Sequence, residues 1–495
     1  MKNKVTLLNM ISSFILQICT IISGFIVPKI ILLYFGSDVN GLISSLNQFL
    51  NYITLLEGGV TGVIAANLYK PLVSADTNKL SAILVTSIQF FYKIGWIFII
   101  YSICLAIIYP IIFDMDFWYV FFLTLILSMN LFVQYMFSIT LKILLNADKK
   151  VYIVSITQIF ITILNIIFIY ISVKIYPSIH FLKLITGALF FLQPLVYGYF
   201  AKKYYNIDWK AKSDTELLKE RWNGFAVNIA AFVHNCTDIA ILTIFTNLAT
   251  VSIYNIYSLV TAGLKSLVMA LTSGISSTIG QAYAREDWKD LNQKLDLFEY
   301  IIFLVVFFMF TVSALLITPF VLIYTRGIND ANYNQPVLGL LLVVSEALYI
   351  IKLPHLQLSY DANKFKEITK PAFIEAIINI VISLILIRIY SFKGIIMGTI
   401  IAMIYRMVFQ VYYTSKIVEN RTQSIFYKKF ALFSVISVVG ATICHKLLPI
   451  TSMTIIDWIV HAIEYSIFLG SLYFFISVCF FKSELKYLIR YITRK

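Results

Sequence analysis

Charge is scarce in this chain: Asp, Glu, Lys and Arg make up 13% of its 495 residues, and apolar residues make up 60%. With a mean hydropathy of +0.86, that balance excludes an ordinary water-soluble globule, in which about a quarter of residues are charged. Cysteine is equally thin. Cys19, Cys104, Cys236, Cys444 and Cys479 stand singly in apolar stretches with no CxxC pair, which excludes a disulfide framework or a structural zinc site. The five histidines are scattered too, so neither a metal nor any other cofactor is expected. No Gly-rich loop ending in GK[ST] is present, so the chain does not hydrolyse ATP itself. The longest polar stretch, Lys202 to Arg221, covers about twenty residues and leaves no room for a soluble domain. No cleavable signal peptide is expected: the first apolar run, Val5 to Tyr34, is too long for a signal core and lacks a small-residue cleavage site.

What the chain has instead is apolar runs of about 18 residues or more, the length that crosses a bilayer as a helix. They predict an all-α polytopic membrane protein with about 14 transmembrane helices, the first over 5–34 and the last over 454–481. A membrane barrel would need alternating segments of about ten residues, not continuous apolar runs. Twenty-eight Lys and Arg fall at the N-terminus, the even-numbered connections and the C-terminal tail, against six (Lys174, Lys183, Arg326, Arg388, Lys393 and Lys446) on the other side. Cationic loops stay inside, so both termini are expected in the cytoplasm. The net charge of +14 is then a topology signal facing an anionic leaflet, and nucleic acid is not an expected partner.

The chain also matches itself. Asn146-Ala147-Asp148-Lys149 and Asp361-Ala362-Asn363-Lys364, each between two apolar runs, share the pattern polar, Ala, polar, Lys at an offset of 215. Gly62 falls on Gly274 at 212, and Asn165 on Asn379 at 214. Three matches in order predict a duplication of six helices. An even number keeps both copies in one orientation, the parallel repeat of one transporter class. The expected domains are an N-terminal six-helix bundle over 1–205, a C-terminal six-helix bundle over 206–420, and two further helices with a cytoplasmic tail over 421–495.

Ionisable residues inside predicted spans cost about 2.5–3.5 kcal/mol each at the bilayer centre on insertion scales, and so face a wet cavity or a partner. Lys29, Lys265 and Arg406 are candidates to present cations to an anionic substrate, Arg as a bidentate phosphate donor and Lys as a mobile point charge. His234 and Asn235 are candidate polar groups of the same cavity. Glu57, Asp238 and Glu346 are candidates for charge pairing or for a coupling ion. The plain alternative is pairing within the protein, Lys29 with Asp238 and Lys265 with Glu57. Lys352 and His355 also lie within a span, whereas Glu375 sits near a cytoplasmic end and is expected to snorkel. Pro28 beside Lys29, and Gly58-Gly59 after Glu57, are candidate gate or hinge positions, because Pro and Gly interrupt or bend helices; the Gly pair equally permits close helix packing without a bend.

The stretch from Tyr34 to Leu72, with Phe35-Gly36, Asn40-Gly41 and Glu57-Gly58 followed by small residues, resembles the helix 1–2 region of Wzx-type oligosaccharide flippases of the multidrug/oligosaccharidyl-lipid/polysaccharide (MOP) superfamily. Many relatives carry Tyr-Gly in place of Asn40-Gly41 and Asp-x-Gly in place of Glu57-Gly58-Gly59. The resemblance implies two bundles in a V that alternates between inward and outward openings, a cationic central cavity, and a lipid-tail groove beside the last two helices. It implies a non-enzymatic flippase of the bacterial cytoplasmic membrane. The implied cargo is an undecaprenyl-pyrophosphate-linked oligosaccharide, a cell-surface polysaccharide or teichoic-acid precursor, carried from inner to outer leaflet. The partners would be that anionic glycan, membrane lipid and a coupling cation, H+ or Na+. The alternatives weighed are a multidrug exporter of organic cations in the same superfamily, and a membrane polysaccharide polymerase or glycosyltransferase. The exporter class usually has twelve spans and an acidic cavity. The enzyme is disfavoured by the short external loops, such as Thr246 to Thr250.

Overall fold

Several helices begin where the sequence supplies an oxygen for the first free amides, which no helical carbonyl can satisfy. Asp76 accepts from the Lys79 amide (3.0 Å), Asp116 from Tyr119 (2.7 Å), Asn247 from Thr250 (2.9 Å) and Asp287 from Asp290 (3.0 Å). The computed structural model describes residues 2–214, 232, 236–362, 364–450 and 452–486, and the expected site residues His234 and Asn235 lie outside them. Among the described residues the chain is helical throughout, without strands.

The helices are α1 (Lys2–Leu50), a 3-10 stretch (Asn51–Glu57), α2 (Val60–Ser74), α3 (Thr77–Ile112), α4 (Phe117–Val133), a π-helical turn (Gln134–Ser138), α5 (Ile139–Ala147), α6 (Val151–Ile175), α7 (Ile179–Leu189) and α8 (Leu192–Tyr204). Beyond them come α9 (Cys236–Phe245), α10 (Leu248–Ala284), α11 (Trp288–Tyr324), α12 (Pro336–Ile351), α13 (Leu353–Asp361), α14 (Phe365–Tyr390), α15 (Phe392–Ile417), α16 (Gln423–Leu447) and α17 (Ile455–Phe480). Eleven segments among the described residues are long and apolar enough to cross a membrane, so the chain is a multi-pass membrane protein. One of them, Lys4–Glu57, has 54 residues, more than twice the ~20 that one crossing needs.

That long segment is interrupted, though not at Pro28. Helix α1 runs through Pro28 and turns at Gly36, whose φ of 82° and ψ of 177° lie outside the helical region. A proline removes one hydrogen bond, whereas the Gly36 conformation is closed to a residue with a Cβ. Further on, Gly58 (φ 54°) and Gly59 (φ 86°) are both left-handed and separate the 3-10 stretch from α2. Of the two roles open to this Gly pair in the sequence, close packing or a bend, the structure has the bend.

The chain divides into two compact units, Met1–Phe232 and Val233–Lys495. In the first, α1 lies along α6, and α3, α4 and α7 pack in turn; α2, α3, the π-helical turn and α5 enclose a core that includes Leu50, Phe91, Phe98 and Tyr135. In the second, α14 and α15 form a tight hairpin, α12 crosses α15 and α11, and both α16 and α17 rest on α11. Phe303 of α11 meets Phe426 and Phe433 of α16 at 5.2 and 5.8 Å between ring centres, and Phe433 stacks on Tyr473 of α17 at 5.9 Å.

The two matching turns close alike. Lys149 is left-handed (φ 58°); its amide bonds the Asn146 carbonyl (3.2 Å), and the Lys150 amide bonds Leu145 (2.8 Å). This is a Schellman end. The Lys364 amide reaches the Ser359 carbonyl (3.0 Å) across the same span of five residues. These bonds lie 214 positions apart, one fewer than the residue pattern suggests. Asp148 takes hydrogen bonds from Lys150 and from the Tyr205 hydroxyl at 2.5 Å. Burial and the Asp148 carboxylate push the Tyr205 phenol up from its ordinary value, which keeps it a donor.

The α14–α15 hairpin depends on two small residues one turn apart, the spacing that lets membrane helices approach backbone to backbone. A Cβ on Gly394 would sit 2.2 Å from the Leu386 carbonyl oxygen, and one on Gly398 2.7 Å from the Ser383 amide. Gly398→Val is therefore expected to destabilise the protein by about 1–3 kcal/mol, the range for overpacking, read as a lowered thermal midpoint in lipid nanodiscs. An unchanged midpoint would refute this packing.

Candidate functional site

In the second unit the spans bring five charged side chains into a ladder around one aromatic ring. Helix α12 and the break after it carry Glu346, Tyr349 and Lys352 at intervals of three, so all three lie on neighbouring turns of one side. Pro354, just beyond Lys352, has no amide for the helical ladder, and Lys352 sits at the resulting step between α12 and α13. Helix α10 supplies Lys265, α14 supplies Glu375 and α15 supplies Arg406.

Lys265 Nζ lies 3.0 Å from Glu346 Oε2 and 3.8 Å from the centre of the Tyr349 ring. Lys352 Nζ approaches the same ring (4.7 Å) and donates to Glu375 Oε1 at 3.0 Å. The other Glu375 oxygen is 3.3 Å from Arg406 Nε, and Arg406 Nη1 donates to the Ile368 carbonyl (3.1 Å). In these direct contacts three cations thus face two carboxylates, and Asp238 lies within electrostatic reach of Glu346. The accessible end of the ladder is at Lys265 and Glu346, whose side chains are 15% and 20% exposed, against 4% or less for Lys352 and Arg406. The Lys265–Glu346 contact is off the hydrogen-bond axis, so Lys265 keeps donors for another acceptor.

These positions revise several expectations. Glu375 does not snorkel: it is buried and holds two cations. Arg406, expected to reach a substrate, is buried with its guanidinium turned to the Glu375 carboxylate and the Ile368 carbonyl. The partner that Lys265 has is Glu346. Lys29, on α1, belongs to the first unit and is half-buried.

Two carboxylates are held by hydroxyl groups and, among the described residues, have no ion pair. Asp238 is buried on α9 and accepts from the Tyr254 hydroxyl (2.9 Å) and from Thr399 (3.2 Å). Thr399 in turn receives Asn379 Nδ2 (2.9 Å), leaving the Asn379 carbonyl oxygen buried with no donor among the described residues. In the first unit, Glu57 accepts from Tyr135 (2.6 Å), which lies in the π-helical turn, and from Thr61 (3.3 Å). Among the described residues no three His, Cys, Asp or Glu converge as a metal site. Asp238 and the Asn379 and Thr399 oxygens are the groups that a proton or a monovalent cation would use.

A second ionic group does not stand out in the sequence. Glu299 of α11 is fully buried and contacts Arg421, Lys429 (3.5 Å) and His355 (3.2 Å); Lys429 also reaches Asp296 (3.0 Å) and Glu484 (3.8 Å). Arg421 and Lys429 read in the sequence as ordinary loop cations. The available signal is Glu299 itself, an acid at the edge of a long apolar run.

No protein-family model matches this chain, and no curated protein matches it by sequence. Solved structures match it by fold. A lipid II flippase MurJ in an inward closed conformation superposes with a TM-score of 0.74 at 15% identity, covering 95% of this chain and 100% of that one. An inward-facing multidrug resistance MATE transporter of the MOP superfamily gives 0.64 at 14% identity, over 81% and 96%. The MATE multidrug transporter DinF-BH gives 0.59 at 15%, over 86% and 96%. The chain therefore has the fold shared by these MOP-superfamily proteins.

Glu375→Gln would strand two buried cations, and breaking a buried pair from one side costs about 3–5 kcal/mol. Its thermal midpoint in nanodiscs should fall sharply, and Glu375→Gln combined with Lys352→Met should recover part of the loss. A double variant no more stable than the single would count against the ladder.

Proposed function

We propose that this protein is a flippase that carries an anionic, undecaprenyl-pyrophosphate-linked saccharide from the inner to the outer leaflet of a bacterial cytoplasmic membrane. On this reading the chain has fourteen spans in two parallel six-helix repeats, with α16 and α17 outside the repeat and both termini in the cytoplasm. It works by alternating access through a cationic cavity. The observation that carries the reading is the excess of cations over carboxylates in the direct contacts of the ladder and its more accessible end at Lys265. A surplus cation in a membrane segment is costly unless an anion meets it.

Energetics support a path without ATP. A pyrophosphate bearing sugars cannot cross hydrocarbon unaided, while its prenyl tail gains from staying there. Outward movement of an anion is favoured by an inside-negative potential, by about 2.3 kcal/mol per charge per 100 mV. A coupling cation, H+ or Na+, would act at Asp238, where hydroxyl and amide oxygens surround a carboxylate with no ion pair among the described residues.

Lys29 and Pro28 on α1, the Glu57-Gly58-Gly59 bend, and Arg406 as a fixed charge behind Lys265 complete the proposed machinery. The cargo class covers surface polysaccharide and teichoic-acid precursors.

A second reading, export of organic cations in exchange for H+ or Na+, is favoured by one observation: Asp238 and Glu57 are carboxylates held by hydroxyls, with no ion pair among the described residues. The two readings separate cleanly. Lys265→Ala should abolish export of the lipid-linked saccharide with expression intact, and depletion of the protein should make that saccharide accumulate on the cytoplasmic leaflet. Normal export by Lys265→Ala would end the flippase reading. Asp238→Asn should remove dependence on the coupling cation, measured as transport into proteoliposomes with and without an ion gradient at fixed voltage. A protein that instead extrudes cationic dyes in an Asp238-dependent manner is the exporter.

A further inference from the structure

The Asn379–Thr399 pair that supports Asp238 has a counterpart in the first unit. Thr186 donates to Asn165 at 2.8 Å; the two asparagines are 214 positions apart and the two threonines 213. In the second unit a carboxylate closes over the pair. In the first, an offset of 215 puts Ser23 where Asp238 would be, and the pair opens onto a cavity of about 280 Å³.

The lining of this cavity is uncharged and mixed, with Leu16, Ile161 and Phe190 among hydroxyl and amide side chains. Thr20 and Ser23 stand one turn apart on α1, Gln158 and Asn165 two turns apart on α6, and Thr186 and Gln193 two turns apart across the junction of α7 and α8. The side chains of four of these, Thr20, Ser23, Gln158 and Gln193, have no hydrogen-bond partner among the described residues. Amides and hydroxyls at bilayer depth bond within the protein or face water or a ligand, and among the described residues these four side chains do not do the first. The chain is also broken here: α7 stops at Leu189, α8 starts at Leu192, and Pro194 cannot donate back to the Phe190 carbonyl. Interrupted spans of this kind line binding sites in transporters.

Size and shape narrow the ligand. The cavity is at the lower end of the small-ligand range, which begins at about 300 Å³, and is several times the ~30 Å³ share of one water. It has amide groups that both donate and accept, no charge, and one aromatic face from Phe190. A pyranose ring has that combination: a rim of hydroxyls and a face of C–H bonds that packs on an aromatic ring. We propose that the cavity is a binding site for a neutral, hydroxyl-rich ligand the size of one sugar ring, held by Gln158, Asn165 and Gln193 against Phe190. The site stands on its own residues. Where the flippase reading holds, the ring is a sugar of the cargo; otherwise it is a free sugar.

The test is saturation-transfer NMR with N-acetylglucosamine as probe and the full chain in lipid nanodiscs free of glycoside detergent. Saturation should reach the sugar ring protons in the wild type and fall about tenfold in a Gln158→Leu, Gln193→Leu double variant, as expected for the loss of two hydrogen bonds. Neither glutamine side chain bonds to the described protein, so the substitutions orphan no other group there. No transfer in the wild type, or equal transfer in the double variant, would overturn the proposal. Adding the same sugar in lipid-linked form separates its sources: displacement of the probe assigns the site to cargo, and persistence assigns it to free sugar. Lys265→Ala keeps this result apart from the flippase reading, since it should leave the probe signal intact while export is lost.

Discussion

A charge in hydrocarbon must be neutralised, hydrated or absent, and the second unit is organised by that rule. Glu375 lies between Lys352 and Arg406, so one carboxylate sets the positions of α12, α14 and α15 at once. The small residues Gly394 and Gly398 permit this, because only a close α14–α15 approach brings Glu375 and Arg406 onto facing turns. Packing and electrostatics thus depend on each other: the hairpin would be too wide for the ion pair with larger side chains, and too charged for the bilayer without it. Tyr349 continues the arrangement outward by giving both lysines a negative ring face.

The two units treat similar polar frames differently. Each holds an Asn–Thr pair between helices at matching places in the chain. The second adds Asp238, which accepts from Thr399; in the first, Ser23 stands at the matching place in the chain and the pair remains uncharged. The same frame thus carries a carboxylate in one unit and opens onto an uncharged cavity in the other.

Much of this is legible in the sequence, for reasons that can be traced. Long apolar runs specify helices because an unsatisfied backbone is so costly in lipid. Gly58-Gly59 stands out as a place for either a bend or close packing, and only the backbone torsions decide for the bend. Lys265, Glu346 and Asp238 stand out because ionisable groups in apolar runs are rare. Partner choice is not legible. Lys265 meets Glu346 rather than the acid that matching of the two halves suggests, since pairing depends on helix rotation, and a repeat offset fixes only depth. Nearness to a span end suggests access to water for Glu375, yet α15 covers it. Gly394 and Gly398 do not stand out, being two small residues among many. Pro28 draws the eye as the bend of the first long segment when Gly36 takes it, because only backbone torsion distinguishes a tolerated proline from a true turn.

The attachment of α16 and α17 has a mechanical consequence. Glu299 ties the near end of α16 to α11 through Arg421 and Lys429, while at the far end the Trp458 indole of α17 bonds the Leu316 carbonyl of α11 (3.1 Å). Stapled top and bottom, with aromatic rings filling the middle, the pair is a fixed outrigger and not a door. Anything that rests on its outer face is therefore held to the second unit through α11.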